Sequence, residues 1–252
     1  MGVEPVPNRP AAVVDTGEGR ALVLADVHAG LEIGLRREGV ELASKADDRL
    51  AALRDLLLET DPDRTVVLGD LGHAIGDPWQ QEREELDAFL SAASQYGPIT
   101  LVKGNHDGDV EAVIRDIDVA VEVTDTSGTH LGDVGFVHGH TWPSPDVLAA
   151  DVVCVGHEHP VVRLEDEVGG YRVERAWLRG GLDAEYFRDN VEGATPNADA
   201  ELVVFPAFND LSGGTWVNVE GQEFLAPFLP DGLVDGEAWL LDGTRLGRYD
   251  RV

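Results

Sequence analysis

The feature that most limits the fold is a repeated one: short apolar runs that stop abruptly in His, Asp or Asn. The chain reads RALVLADVH, RTVVLGD, ITLVKGNHD, DVGFVHGH and DVVCVGHEH. The runs therefore end at Asp26 and His28, at Asp70, at Asn105 and His106, at His138 and His140, and at His157 and His159. Apolar runs without polar alternation suit strands buried on both faces, as in a sheet covered by helices. In open α/β sheets, ligands bind just beyond the carboxyl ends of the strands. Five polar clusters at five such ends therefore predict one shared site.

The intervening segments read as helices. KADDRLAALRDLLLE carries Leu50, Leu53, Leu57 and Leu58 at helical spacing, which predicts a helix capped by Ser44 and stopped at Asp61-Pro62-Asp63. A second helix is expected at 79–94, ended by Gly97-Pro98. AAVV, DTGEG and RALVLAD predict a hairpin with a Gly-rich turn. Strand, helix, strand, helix, strand signals an α/β unit. From about Val119 the texture changes to short strands, VAVEV, DVGFVHG, DVVCVGHE, PVVRLE, YRVERAWL and ELVVF, with one short helix at 145–150. EFLAPFLPDG and EAWLLDGTRLGRYDRV read as a less regular tail. No repeat, low-complexity stretch or linker interrupts the chain. One domain over residues 1–252 is expected, with a motif core over about 20–160 and further strands and a C-terminal extension over about 161–252.

Charge narrows the setting. Asp and Glu number 48 against 19 Lys and Arg, a formal net charge of −29, and Lys45 and Lys103 are the only lysines. Such a surface fits concentrated salt, where self-repulsion is screened, and a halophile's cytoplasmic protein is expected. It argues against a broad nucleic-acid surface, because phosphate backbones need Lys and Arg. The one cysteine, Cys154 in VVCVG, excludes an intrachain disulfide and a Cys-rich zinc site and reads as a small core residue. No apolar run reaches membrane-spanning length, and MGVEPVPNRP lacks the parts of a signal peptide, so a soluble protein is expected.

Taken singly, each polar cluster is turn chemistry. Together they are not. All eight histidines lie between His28 and His159, and only His130 falls away from the strand ends. Asp26 and His28, at i and i+2, share one face of an extended chain. His157 and His159 do likewise, with Cα atoms roughly 6.5 Å apart, wide enough to serve two ions about 3.5–4 Å apart. A helical zincin motif is excluded because Val161 stands where the second His would be, and a metallo-β-lactamase pattern because Pro160, Val161 and Val162 follow His159.

The ordered blocks Asp26-x-His28, Gly69-Asp70, Gly104-Asn105-His106-Asp107, His138-Gly139 and Gly156-His157-x-His159 resemble the calcineurin-like metallophosphoesterases, over about residues 22–160. The finer texture, in LADVHAGLE, GDLGH, HGH and PAFNDLSGG, resembles archaeal phosphoesterases of the SbcD/Mre11 type and those associated with DNA ligase. The resemblance implies a four-layer αββα sandwich, two sheets flanked by helices. It implies two divalent ions, Mn foremost, with Fe, Zn or Co as alternatives. Asp26, His28, the bridging Asp70 and His159 would hold the first, and Asp70, Asn105, His138 and His157 the second. His106 would be the catalytic histidine without a metal. Many relatives carry an Asp three positions after the bridging Asp to orient that histidine; here it is His73. Asp107 or Asp77 could substitute, or His73 could touch substrate, and His140 could support the site or replace His138. Glu32, Lys103, Arg163 and Arg179 could face phosphate but read better as ordinary surface or salt-bridging residues.

The neutral Asn105 has an electrostatic meaning. Two dications against the two carboxylates Asp26 and Asp70 leave a net positive site, able to grip a phosphate. The expected activity is hydrolysis of a phosphodiester of nucleotide or nucleic-acid type. The alternatives are a phosphomonoesterase, a DNA nuclease, or a non-catalytic protein-binding scaffold of the same fold. A membrane partner is not expected.

Overall fold

The computed structural model describes residues 2–117, 119–166 and 168–252. The first sheet is built from β1 (Val3–Pro5), β2 (Ala11–Asp15), β3 (Arg20–Leu24), β4 (Arg64–Val67), β5 (Ile99–Val102) and β6 (Val121–Thr124), adjacent in that order. β1 to β3 run antiparallel and β3 to β6 parallel. Helices α1 (Leu31–Arg37), α2 (Ala46–Thr60), α3 (Gln80–Ala93) and α4 (Val110–Asp116) make its crossovers. The second sheet uses β7 (Thr129–Leu131), β8 (Val134–Val137), β9 (Val152–Val155), β10 (Val161–Glu165), β11 (Tyr171–Leu182), β12 (Glu201–Val204), β13 (Leu233–Leu240) and β14 (Arg245–Arg248), with α5 (Pro145–Leu148) and α6 (Ala184–Asn190) between them. Its order is β14-β13-β11-β12-β9-β8-β7, and β10 pairs with β11 off this path. Of these pairings, β8 with β9 and β9 with β12 are parallel.

The period-2 geometry of a strand sorts each apolar run onto two faces. In β3, Leu22 and Leu24 pack outward with Leu53, Leu57, Phe89 and Leu90 of the helices. Ala21 and Val23 of the same strand point the other way, to a core shared with Phe136, Cys154, Trp177 and Phe205 of the second sheet. In β9 and β12, Val153, Val155, Leu202 and Val204 face a third core with Phe187 of α6 and Phe228. Three cores separate four layers, helices, sheet, sheet and helices with loops, which is the expected αββα arrangement. Cys154 is a buried thiol in the central core, and burial pushes it above its ordinary range.

Two local expectations are corrected. Ser44 does not cap α2; the N-cap residue is Lys45, and the Ser44 hydroxyl accepts only from Ala46 N–H at 3.3 Å. The tail is not irregular throughout: β13 pairs with β11 from Leu233↔Leu182 to Leu240↔Ala176, and β14 folds back on β13. Its signal was masked by Asp235 at φ 51 and Gly236 inside the strand, which read as a turn. No helix among the described residues is long and apolar enough to cross a membrane.

One buried ion network ties the helices to the turn after His28. Arg49 of α2 donates to both oxygens of Glu32 at 2.9 Å and to Glu85 at 2.7 Å, and Glu85 accepts from Gly30 N–H at 3.0 Å. Removing one partner of a buried pair leaves uncompensated charge, a cost of about 3–5 kcal/mol. Arg49→Ala is expected to lower the melting temperature by roughly 10 °C in a domain of this size; an unchanged melt would contradict it. Burial pushes the Glu32 carboxyl up, but Arg49 and two backbone N–H groups pull harder, and it lies below its ordinary value. That contribution is present above the ordinary carboxyl range and is lost as pH falls through the lowered value.

Candidate metal centre

The residues that follow β3, β4 and β5 meet those that follow β8 and β9. The join is made by backbone: Asp26 N–H donates to Gly69 O, His28 N–H to Asp70 O, and Phe208 N–H, after β12, to Ala25 O. Turning side chains inward here takes unusual conformations. Asp26, His28, Asp70, His157 and His159 all have positive φ, between 44° and 68°, a region that disfavours residues with a Cβ. Glycines make room for them. A Cβ on Gly69, itself at φ 78°, would overlap the ring of His138, and one on Gly104 would overlap Asp70.

Two groups of possible ligand atoms result. Those of Asp26, His28 and His159 lie within 4.8 Å of one another, and so do those of Asp70, His138 and His157. Asp70 faces both groups, with Oδ2 3.6 Å from His28 Nε2 and Oδ1 3.5 Å from His138 Nε2. Asn105 Oδ1 lies 3.1 Å from His138 Nε2 and adds a neutral oxygen to the second group. Each group draws on both sheets. A third group, His28, His73 and His106, shares His28 with the first.

The donor chemistry fits a cation. Asp26 and Asp70 are 0% and 2% exposed, yet their only ion-pair partners among the described residues are histidines. A buried carboxylate needs a compensating charge. Burial, with Asp26 beside it, pushes the Asp70 carboxyl up. Burial also pushes Asp26 up, but His159 pulls harder, with His138 and His28 helping, and it settles at about 2. His159, 3.2 Å away, is pulled down by burial and lifted further by Asp26, to about 9. A carboxylate oxygen and an imidazole nitrogen thus face each other in a buried place that a metal ion would take. Burial lowers His28 and His157 to about 3, so both are neutral imidazoles with lone pairs to offer. His138 and His159 each have Nδ1 2.7 Å from a carbonyl, Leu68 O and Gly213 O. Those bonds place the proton on Nδ1 and turn Nε2 inward, the usual support for a metal-binding imidazole.

His106 stands at the edge, half-buried, its ring 5.0 Å from that of His28. Its backbone N–H donates to Asp70 Oδ1 at 2.9 Å. Its Nδ1–H donates to the main-chain carbonyl of His73 at 2.6 Å, and the two rings stack 5.3 Å apart at 15°. The carbonyl of His73 thus does what a carboxylate at that position would do. Neither expected substitute reaches it. Asp77 pairs with Arg83 at 3.3 Å. Asp107 is buried and accepts from Leu71, Gly72 and Gly104 N–H, bracing the turns that carry Asp70 and Asn105. His140 joins none of the three groups; its ring lies 5.2 Å from His138 and 6.0 Å from His157. Lys103, Arg163 and Arg179 pair with Glu111, Glu165 and Glu201.

Two supporting residues escaped the sequence reading. Buried Asn209 donates to Val27 O at 3.0 Å and His28 O at 3.3 Å, which locks the turn between Asp26 and His28. Its only signal was its place in PAFNDLSGG, the stretch that also supplies Gly213 O to His159. Glu158, between the two histidines, is buried and accepts from Thr215 Oγ1 at 2.8 Å and Ala226 N–H at 2.6 Å, so it pins the loop from the opposite side.

A family model described as calcineurin-like phosphoesterase matches residues 19–161. An 80-residue segment, 31% of the chain, is 38% identical to the mouse serine/threonine-protein phosphatase CPPED1 and spans 22% of that protein's length. The crystal structure of the Pseudomonas putida nuclease MPE matches with a TM-score of 0.56 at 20% identity, over 96% of this chain and 98% of that one. The latter likeness is one of fold.

Proposed function

The chain belongs to the calcineurin-like phosphoesterase family, and we propose that it hydrolyses phosphodiesters of nucleotide or nucleic-acid type with two divalent ions. The observation that carries this reading is Asp70, set between two ligand groups with one oxygen toward each. In this reading Asp26, His28, Asp70 and His159 hold one ion, and Asp70, Asn105, His138 and His157 the other. Mixed nitrogen and oxygen donors without thiolate favour Mn, Fe, Zn or Co over Ca, with Mn foremost. When bound, the ions activate water at neutral pH and stabilise charge on the phosphoryl oxygens.

The chain's own residues do the rest. Asn105 contributes an oxygen without a charge, which keeps the site positive toward an anion. His106, with Nδ1 committed to His73 O, exchanges protons only at Nε2, and gives one to the leaving oxygen. PAFNDLSGG, which braces Asp26 and His159 through Asn209 and Gly213, supports placing the chain beside the SbcD-type and ligase-associated phosphoesterases. The acidic, lysine-poor composition supports a cytoplasmic protein of concentrated salt.

The test is hydrolysis of bis-p-nitrophenyl phosphate beside p-nitrophenyl phosphate in molar KCl, with Mn²⁺ and with EDTA. Cleavage of the diester that requires the ion and exceeds that of the monoester is expected, with two ions per chain. Faster cleavage of the monoester would replace the diesterase with a phosphatase. No turnover together with no bound metal would leave a scaffold of the same fold.

A further inference from the structure

A cleft of about 500 Å³ opens beside His106, lined by none of the residues assigned to the ions. Its walls come from Gly34 and Arg37 of α1, from His73, Ile75 and Trp79 of the loop between β4 and α3, and from His106 itself. Three observations bear on its occupant. First, it adjoins the proposed proton donor: His106 lines it, and the ring of His106 lies 5.0 Å from that of His28. With His106 as the proton donor of the phosphodiesterase reading, this is the space next to the leaving oxygen. Second, the lining includes an aromatic ring. Trp79 is half-buried, with the Arg37 guanidinium over one face of its ring 4.7 Å from the centroid, and Ile75 of the same lining is 83% exposed. A lone exposed isoleucine needs no explanation, but here it lines the same cleft as Trp79 and His106. Third, the cleft is not basic. Among the described residues Arg37 is the only Lys or Arg in its lining, against the carboxylates of Glu38 and Asp77, in a chain whose net charge is −29. A strand continuing through further phosphates would find no cationic track there.

We propose that this cleft receives the leaving group and selects an uncharged nucleoside, its base against Trp79 and Ile75, over a polynucleotide; the proposal rests on the phosphodiesterase reading above. In the step it serves, water gives up one proton as its oxygen bonds to phosphorus, the ester P–O bond breaks with its electron pair on the nucleoside oxygen, and His106 Nε2 gives that oxygen a proton; the proton released by the water restores His106 through solvent. The nucleoside then leaves through the same cleft.

The experiment is calorimetric titration of the full-length protein with adenosine, with Mn²⁺ and with EDTA, for the wild type, Trp79→Ala and Ile75→Asp. Ile75 is at the surface, so its variant keeps the fold even if Trp79→Ala does not. Saturable binding is expected in both conditions, weakened about tenfold or more in Trp79→Ala, the loss that removal of one base–aromatic stack brings, and measurably in Ile75→Asp. In turnover, the ratio of kcat/KM for a thymidine-releasing diester to that for a methanol-releasing one should fall about tenfold in Trp79→Ala. Absence of adenosine binding to the wild type, or binding by both variants as tight as that of the wild type, overturns the proposal. So does tighter binding of a 5′-phosphorylated dinucleotide than of adenosine in EDTA. Adenosine binding that depends on Trp79, without turnover of any diester, keeps the nucleoside cleft and removes the phosphodiesterase.

Discussion

Replacing Asp70 by Asn is expected to lower kcat for bis-p-nitrophenyl phosphate by about 10³-fold and to reduce bound metal below two ions per chain. The substitution keeps the shape of the side chain but removes the charge that directs one oxygen toward each ligand group. Charge stabilisation by a metal at the transition state is worth several kcal/mol, and about 1.4 kcal/mol is a factor of ten in rate. The same substitution should act oppositely on the metal-free fold. Burial and the adjacent Asp26 hold the Asp70 carboxyl above its ordinary value. A raised carboxyl means that the folded chain binds its proton more tightly than the unfolded chain does, so its contribution to stability is lost as pH rises through the raised value. In EDTA at neutral pH, Asp70→Asn should therefore melt above the wild type. Two ions retained with turnover within tenfold of the wild type would remove Asp70 from the position between the metals.

His106→Ala should separate chemistry from metal binding. A positioned general acid contributes about 10²–10⁴-fold, and a loss in that range is expected with both ions still bound. The loss should grow with the basicity of the leaving group. An alkoxide from a nucleoside needs a proton far more than a nitrophenolate does, so a dinucleotide should expose the defect more fully than bis-p-nitrophenyl phosphate. His73 offers His106 a carbonyl, so replacing the side chain at position 73 while keeping the backbone should cost much less than replacing His106. Full activity of His106→Ala on every substrate would end its assignment.

The parts of the fold that could be read in the sequence are those where burial speaks through composition. RTVV, ITLV and VVCV show no polar alternation, and apart from the half-buried Arg64 at one end every residue in them is buried, the threonines included, so all three strands have both faces covered. The elements that escaped are short ones whose borders carry mixed signals. α1 starts from Gly30 at φ 83° and contains Gly34, and β13 contains Gly236. The convergence of five polar strand ends was legible because those ends fall at one edge of each parallel run. What orients His106 was not legible. A sequence shows which side chain stands at position 73, and here the atom that matters belongs to the backbone. Asn209 was hidden for a related reason: its contacts are with main-chain carbonyls 181 and 182 positions away.

Both ligand groups are divided between the sheets, with Asp26, His28 and Asp70 carried by one and His138, His157 and His159 by the other. Catalytic constellations tolerate displacements of only about 0.5 Å. The central apolar layer, where Trp177 packs on Phe205 with ring centroids 4.7 Å apart, therefore sets the registration of one half-site against the other. A swap there that thickened or thinned the layer by a methyl group would register at the metals as a change in bite. The residues of this layer carry no charge and belong to none of the ligand groups. In the proposed two-ion reading, hydrophobic packing is part of the coordination chemistry.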